Sequence, residues 1–268
     1  MLNKDYIIPA LGGRLGNNLF MIAHAYARSR DFKLPLYICR SQVEYHNGES
    51  NDNYSSTILS KFNYIEEFPD NGIINPPEPV KGRPTVYAGY YQNEKYFHKY
   101  KDDLLDLFGP TSEFIDRVRL KLPQLFKGRV TAINVRRGDY LYYPNYHPTV
   151  TVDYIMAAVS QIKKTDSFLI LSDDLEWCRK NLSLPNAAYI EGYNSYEQLW
   201  IMSLCHNFII SNSSFSWWGA WLSRCTDSTV VAPETWFGPE HQADWQGQYG
   251  KGWIKLPTYF KNGFILPK

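Results

Sequence analysis

Short apolar runs alternate with longer amphipathic ones along the second half of the chain. Val130–Val135, Phe168–Leu171, Ala187–Ile190, Phe208–Ile210 and Thr229–Ala232 are aliphatic or β-branched runs of strand length. Between them, Val152–Lys163 sets Ile155, Ala158, Val159 and Ile162 on one helical face, and a short helix fits around Trp177. Tyr196–His206 is apolar almost all round, as a buried helix is, and Trp217–Leu222 carries the last helix. Strand and helix taking turns predict an α/β fold, a parallel sheet with helices on both faces.

The first half opens in the same way. Tyr6–Ala10 reads as a strand, Leu11–Asn18 as a glycine-rich turn, and Leu19–Ala27 as a helix that Asn17 or Asn18 could cap. Leu34–Ile38 is the next strand. From Gln42 to Arg83 the periodicity dissolves into polar, Asn-, Pro- and Gly-rich sequence, which reads as an irregular, substrate-facing insertion. Val86–Tyr91 returns as a strand and Thr111–Leu122 as a charged amphipathic helix, with Pro123–Gly128 as the hinge. The expected organisation is two αβ lobes, residues 1–125 and 126–268, around a central cleft.

Composition narrows the function. The 28 basic residues against 27 acidic leave no field suited to nucleic acid or a membrane surface, so any anion site must be local. Cys39, Cys178, Cys205 and Cys225 are scattered, without metal-ligand spacing, and read as reduced thiols of a cytoplasmic protein. No apolar run reaches the roughly 20 residues of a membrane span, and Met1–Ala10 lacks the features of a signal peptide.

Candidate chemistry gathers at strand ends. Val130–Val135 stops abruptly at Arg136, Arg137, Gly138 and Asp139. Charge at the carboxyl end of an interior strand belongs at a ligand crevice, and the arginine fork suits a phosphate. Ser211–Ser216 lies between a strand and a helix, where hydroxyls and N–H groups at the positive helix end stabilise an anion. Asp173 and Asp174 also follow a strand; one would cap the next helix, and a carboxylate there could accept two donors from a guanine edge. Being adjacent, they do not form an alternating metal-binding DxD. Arginines without a ligand cluster predict metal-independent chemistry. His24 reads as a packed core or wall histidine. Asp139 and His147, the latter in the tyrosine-rich loop Tyr140–Pro148, are the candidate bases.

Five stretches together resemble the glycosyltransferase family 11 α-1,2-fucosyltransferases. They are Gly12–Phe20, Gly89–Phe97, Val135–Tyr140, Ser172–Trp177 and Ser211–Leu222, in family order. The resemblance implies a GT-B-like fold and a donor, GDP-fucose, in the second lobe. It also implies a galactose-containing acceptor towards the first lobe, no cofactor or metal, and inversion at the fucose carbon. By motif, Arg136 holds the β-phosphate, Ser213, Ser214 and Phe215 line the diphosphate, and Asn17 or Asn18 approaches from the other lobe. Arg137 stands beside Arg136 in the same motif. One position departs from the pattern: where the family has His two places before the first arginine, this chain has Asn134, which keeps a neutral hydrogen bond and carries no charge.

Overall fold

The computed structural model describes residues 4–44, 53–241, 248–260 and 263–264. The chain divides into two compact units, Met1–Gly109 and Pro110–Lys268. In the first, the strands are β1 (Ile7–Ala10), β2 (Tyr37–Cys39), β3 (Asn63–Ile65), β4 (Ile73–Ile74) and β5 (Thr85–Ala88). The helices are α1 (Leu15–Phe32), α2 (Arg40–Glu44) and α3 (Lys101–Phe108). β5 pairs in parallel with both β1 and β4, and β2 pairs in parallel with β3. A parallel bridge between Ile7 and Leu36 joins the two sets, giving the order β3-β2-β1-β5-β4.

The second unit holds β6 (Val130–Val135), β7 (Ser167–Ser172), β8 (Ala187–Tyr189), β9 (Asn207–Ile209), β10 (Val230–Pro233) and β11 (Ile254–Leu256). Its helices are α4 (Ser112–Lys121), α5 (Gln124–Lys127), α6 (Val152–Gln161), α7 (Leu175–Asn181), α8 (Ser195–Ser203) and α9 (Ser214–Trp221). The six strands are all parallel, in the order β11-β10-β9-β6-β7-β8. This is the doubly wound order, in which the chain works outward from β6 to β8 and then restarts beside β6 with β9. The carboxyl ends of β6 and β9 therefore flank the topological switch point, where such sheets bind ligands.

Every residue of β6 is buried, so its alternating side chains serve two interiors. Ile133 and Val135 join Phe168, Ile170, Ile209 and Val231 under Tyr154, Ile155 and Ala158 of α6. Fully burying an aliphatic side chain of this kind stabilises by about 1.5–3 kcal/mol, so this layer fixes where β6 ends. The Tyr154 hydroxyl donates to the Ile210 carbonyl at 2.8 Å, tying α6 to the residue that follows β9. Behind the site, α9 is buried through Trp217, Trp218 and Trp221. Gly219 admits Met202 of α8, whose sulfur an added Cβ would strike.

Several expectations change. The division falls at 109/110 rather than 125/126, because α4 packs on α8: the Phe114 and Trp200 rings are 5.0 Å apart and Arg117 pairs with Glu197. The Pro123–Gly128 hinge is largely the short helix α5. Gln42–Arg83 is not uniformly irregular, since β3 and β4 lie within it and extend the sheet; its residues 45–52 lie outside the described residues. The strand read as Val86–Tyr91 ends at Ala88, because Gly89 and Tyr91 take positive φ (139° and 47°). Cys39, Cys178 and Cys205 are buried free thiols and Cys225 is half-buried. Among the described residues, no helix is long and apolar enough to cross a membrane.

Candidate active site

At the end of β6 the arginines leave the sheet in different directions, each met by carboxylates from the end of β7. Arg136 Nη2 donates to Asp139 Oδ1 at 2.6 Å and Nη1 to Asp173 Oδ2 at 2.9 Å. Arg137 Nε donates to Asp174 Oδ2 at 3.0 Å, while its guanidinium lies 4.1 Å from the centre of the Trp177 ring. The Arg137 backbone N–H donates to Asp173 Oδ1 at 2.8 Å. Both guanidiniums are mostly buried, at 19% and 15% exposed. Gly138 makes the approach possible: an added Cβ there would sit 2.5 Å from Asp173 Oδ2.

Asp174 caps α7, its Oδ1 accepting the Trp177 N–H at 3.0 Å, so the expected capping role falls to this residue. All four carboxylate oxygens of Asp173 and Asp174 already accept a protein N–H. Reading a guanine edge would require them to share or release these partners. In this geometry the two acids orient the arginine pair.

β9 contributes the other half. Ser213 is the N-cap of α9, its Oγ accepting the Phe215 N–H at 3.3 Å. Ser214 and Phe215 open the first turn, at the positive end of the helix. Ser216 turns inward, donating to the Ser211 and Ser213 carbonyls at 2.9 and 3.0 Å, and so shapes the turn rather than facing a ligand. Asn134 stitches the strand ends together: its Nδ2 donates to the Leu171 carbonyl at 3.4 Å and its Oδ1 accepts the Ser211 hydroxyl at 3.1 Å.

Tyr140 closes the floor between the halves. Its hydroxyl donates to the Asn212 carbonyl at 3.2 Å and its ring lies 5.5 Å from the Arg136 guanidinium. Burial pushes the phenol up to about 12, with the Arg136 charge pulling the other way. His147 stacks on Tyr140, ring centres 4.5 Å apart and nearly parallel. Burial lowers the His147 pKa, offset in part by the Asp139 carboxylate. Its Nδ1 is buried with no hydrogen-bond partner among the described residues. Asp139 is 47% exposed. The second unit thus brings together Arg136, Arg137, Asp139, Asp173, Asp174, Ser213 and His147.

Asn17 and Asn18 lie in the first unit and neither caps α1. That helix begins at Leu15 behind Arg14, which makes no side-chain cap. Positive φ at Gly13 (74°) turns the chain early, and the Asn17 and Asn18 N–H groups bond back to the Arg14 carbonyl. Asn17 Oδ1 accepts from Gln92 Nε2 at 2.8 Å, whereas the buried Asn18 Oδ1 has no partner among the described residues. His24 is the packed wall histidine expected, stacked on Tyr91 at 3.8 Å.

Sequence reasoning gave no separate role to Tyr140, Trp177 or Ser172. Tyr140 and Trp177 end two of the quoted motifs, which was the available signal. Ser172 opens the stretch that Trp177 ends; its Oγ donates to the Val135 carbonyl at 2.7 Å and accepts the Asp174 N–H at 2.9 Å.

A family model described as glycosyl transferase family 11 matches residues 81–257, more than half of the chain and every element just named in the second unit. The chain belongs to glycosyl transferase family 11. Among curated relatives, an α-1,2-colitosyltransferase of Escherichia coli is 29% identical over 272 residues, spanning 87% of this chain and 93% of the relative. The O-antigen biosynthesis glycosyltransferase WbnK of Escherichia coli is 27% identical over 227 residues, spanning 79% and 70%. Among solved structures, the Bradyrhizobium NodZ α-1,6-fucosyltransferase crystallised with GDP matches with a TM-score of 0.57 at 13% identity, over 83% of this chain and 93% of that one. This family 11 glycosyltransferase therefore has the GT-B-type α/β fold, with a parallel sheet in each unit.

Proposed function

We propose that this glycosyltransferase moves L-fucose from GDP-β-L-fucose to the 2-hydroxyl of a terminal galactoside, with inversion to an α-1,2 linkage and without a metal. The observation that carries the reading is the switch point itself, where Arg136 and Arg137 follow the end of β6 and the α9 N-terminus follows the end of the neighbouring β9. As the fucose–phosphate bond breaks, its electron pair goes to the leaving diphosphate and the sugar carbon becomes cation-like. Two fixed guanidiniums and a helix N-terminus stabilise that charge without reorganising. By motif resemblance, Asn17 and Asn18 are further donor-binding residues. Asp139 accepts the proton of the attacking hydroxyl, because its carboxylate reaches solvent while His147 Nδ1 is enclosed. The acceptor glycan carries the galactose, and the reaction takes place in the cytoplasm, where the free thiols stay reduced.

A second reading has one specific observation behind it, the relative named for colitose. Colitose is L-fucose without its 3-hydroxyl, so the choice turns on whether the site holds a donor or acceptor for that group. A site built to bond a hydroxyl rejects the analogue lacking it by large factors. Transfer to a galactoside panel, measured with each GDP-sugar and with UDP-sugars, in EDTA and again with manganese restored, decides among them. Fucosyl transfer that persists in EDTA supports the proposal. Transfer only from the colitose donor, or only after manganese is restored, overturns it.

A further inference from the structure

The loop after Asp139 displays aromatic rings to solvent and is nevertheless held at many points. Tyr142 and Tyr143 are 80% and 64% exposed, with Leu141 and Tyr146 also exposed beside them. The backbone is pinned by hydrogen bonds from the Leu141 N–H to the Arg137 carbonyl (3.0 Å) and from the His147 N–H to the Tyr143 carbonyl (2.8 Å). From the far side, the Gly238 N–H donates to the Tyr146 carbonyl at 3.0 Å and Asn145 Nδ2 donates to Glu240 Oε1 at 3.1 Å. A side chain at Gly238 would strike the Asn145 carbonyl, so the two loops are fitted closely. Underneath, Tyr146 meets His147 and His241 edge-on, at 4.6 and 5.0 Å. Adjacent large rings left outside by a fixed frame form an exposed patch of the kind that marks binding surfaces.

We propose that Tyr142 and Tyr143 are the platform on which the acceptor oligosaccharide lies beyond its reacting galactose; this rests on the transferase reading above. Three observations choose that occupant. The platform continues directly from Asp139 and Arg136, where the acceptor hydroxyl must meet the sugar carbon. Tyrosine offers an apolar face to the C–H face of a pyranose and a phenol to its hydroxyls. The stretch from Leu141 to His147 contains no Lys or Arg, which an anionic membrane surface would require.

The test uses the full chain with Tyr142→Ala/Tyr143→Ala, and Tyr142→Phe/Tyr143→Phe as the variant that keeps the rings. KM is measured for a simple galactoside and for galactose-terminated oligosaccharides, alongside donor KM and donor hydrolysis without acceptor. The alanine pair should raise the oligosaccharide KM by about tenfold, the worth of a lost ring contact, with kcat, donor KM and hydrolysis unchanged. The simple galactoside should change by less than about twofold, and the phenylalanine pair should restore most of the loss. An unchanged oligosaccharide KM, or an equal rise in donor KM, overturns the platform. So does a loss of binding to anionic vesicles with KM intact. Hydrolysis of GDP-fucose by the wild type reports on the transferase reading alone. If that is absent, calorimetric binding of the same oligosaccharides still judges the platform, and equal affinity in wild type and alanine pair overturns it.

Discussion

Replacing Arg136 separates its two jobs. In the fold, its guanidinium bridges Asp139 and Asp173 with contacts of 2.6 and 2.9 Å, and the carboxylates are 47% and 26% exposed. Ion pairs with that access to water stabilise by about 0.2–1 kcal/mol each. Arg136→Ala should therefore lower Tm by only about 2–5 °C. In the proposed reaction the same group faces charge that grows on the leaving diphosphate, and a lost donor of that kind raises the barrier by about 2–4 kcal/mol. The expected fall in kcat/KM is about 30- to 900-fold. Arg136→Lys keeps the charge but not the planar fork, so it can serve one carboxylate or the phosphate and not all three. It should recover less than about a tenth of the lost rate. Initial rates with GDP-fucose and a galactoside acceptor, read beside thermal melts of the same samples, give both numbers. Wild-type kcat/KM in the lysine variant would refute the fork argument. A Tm loss above about 10 °C in the alanine variant would instead make Arg136 chiefly structural.

Asp139→Asn should lose kcat while keeping GDP affinity, and His147→Ala should do less; a proportional loss of GDP binding in Asp139→Asn would make Asp139 an arginine support and pass the base to His147. Asp173→Asn should weaken GDP and inorganic phosphate alike, because Asp173 holds Arg136 and the Arg137 backbone; weaker GDP binding with unchanged phosphate affinity would favour a guanine-reading role. His24 tests acid stability. Burial lowers its pKa from 6.5 to about 4, so between those values the unfolded chain takes up a proton that the folded chain refuses. Stability from this residue is intact above pH 6.5 and falls by about 3 kcal/mol on the way down to pH 4. Urea unfolding from pH 7 to 4 should show a shallower decline for His24→Phe than for wild type, and parallel declines would refute the assignment.

Much of this was legible because it is local. The strand-length apolar runs gave five of the six strands of the second sheet, and their abrupt ends at Arg136, Asp173 and Ser211 marked the site. What the sequence concealed depends on partners remote in the chain. Ile254–Leu256 is only an Ile-Lys-Leu triplet, too short and too polar to read as a strand until it pairs with Val231–Pro233. Tyr91 takes a left-handed conformation in which its ring stacks on His24 and its hydroxyl donates to Asn75 Oδ1 at 2.9 Å, none of which local propensity foresees. The division at 109/110 follows from Phe114 finding Trp200, a contact across many intervening residues. Asn17 and Asn18 had the composition of caps, yet Gly13 started the helix earlier.

Asn134 shows how far the site's charge arrangement depends on its neutral frame. It lies on β6 two residues before Arg136, donating across to β7 at Leu171 and accepting from Ser211 just beyond β9. An amide does both at once because it carries donor and acceptor on a single carbon. A protonated imidazole would present donors on both sides, and the Ser211 hydroxyl would have to reverse its own bond to match. It would also set a third cation beside Arg136 and Arg137 in a buried position, where like charges repel strongly. The amide holds the ends of β6, β7 and β9 in register and leaves the positive charge of the switch point to the two arginines and the α9 N-terminus. Those groups face the place where the diphosphate's negative charge develops in the proposed reaction, and the frame behind them stays neutral across the pH range in which they act.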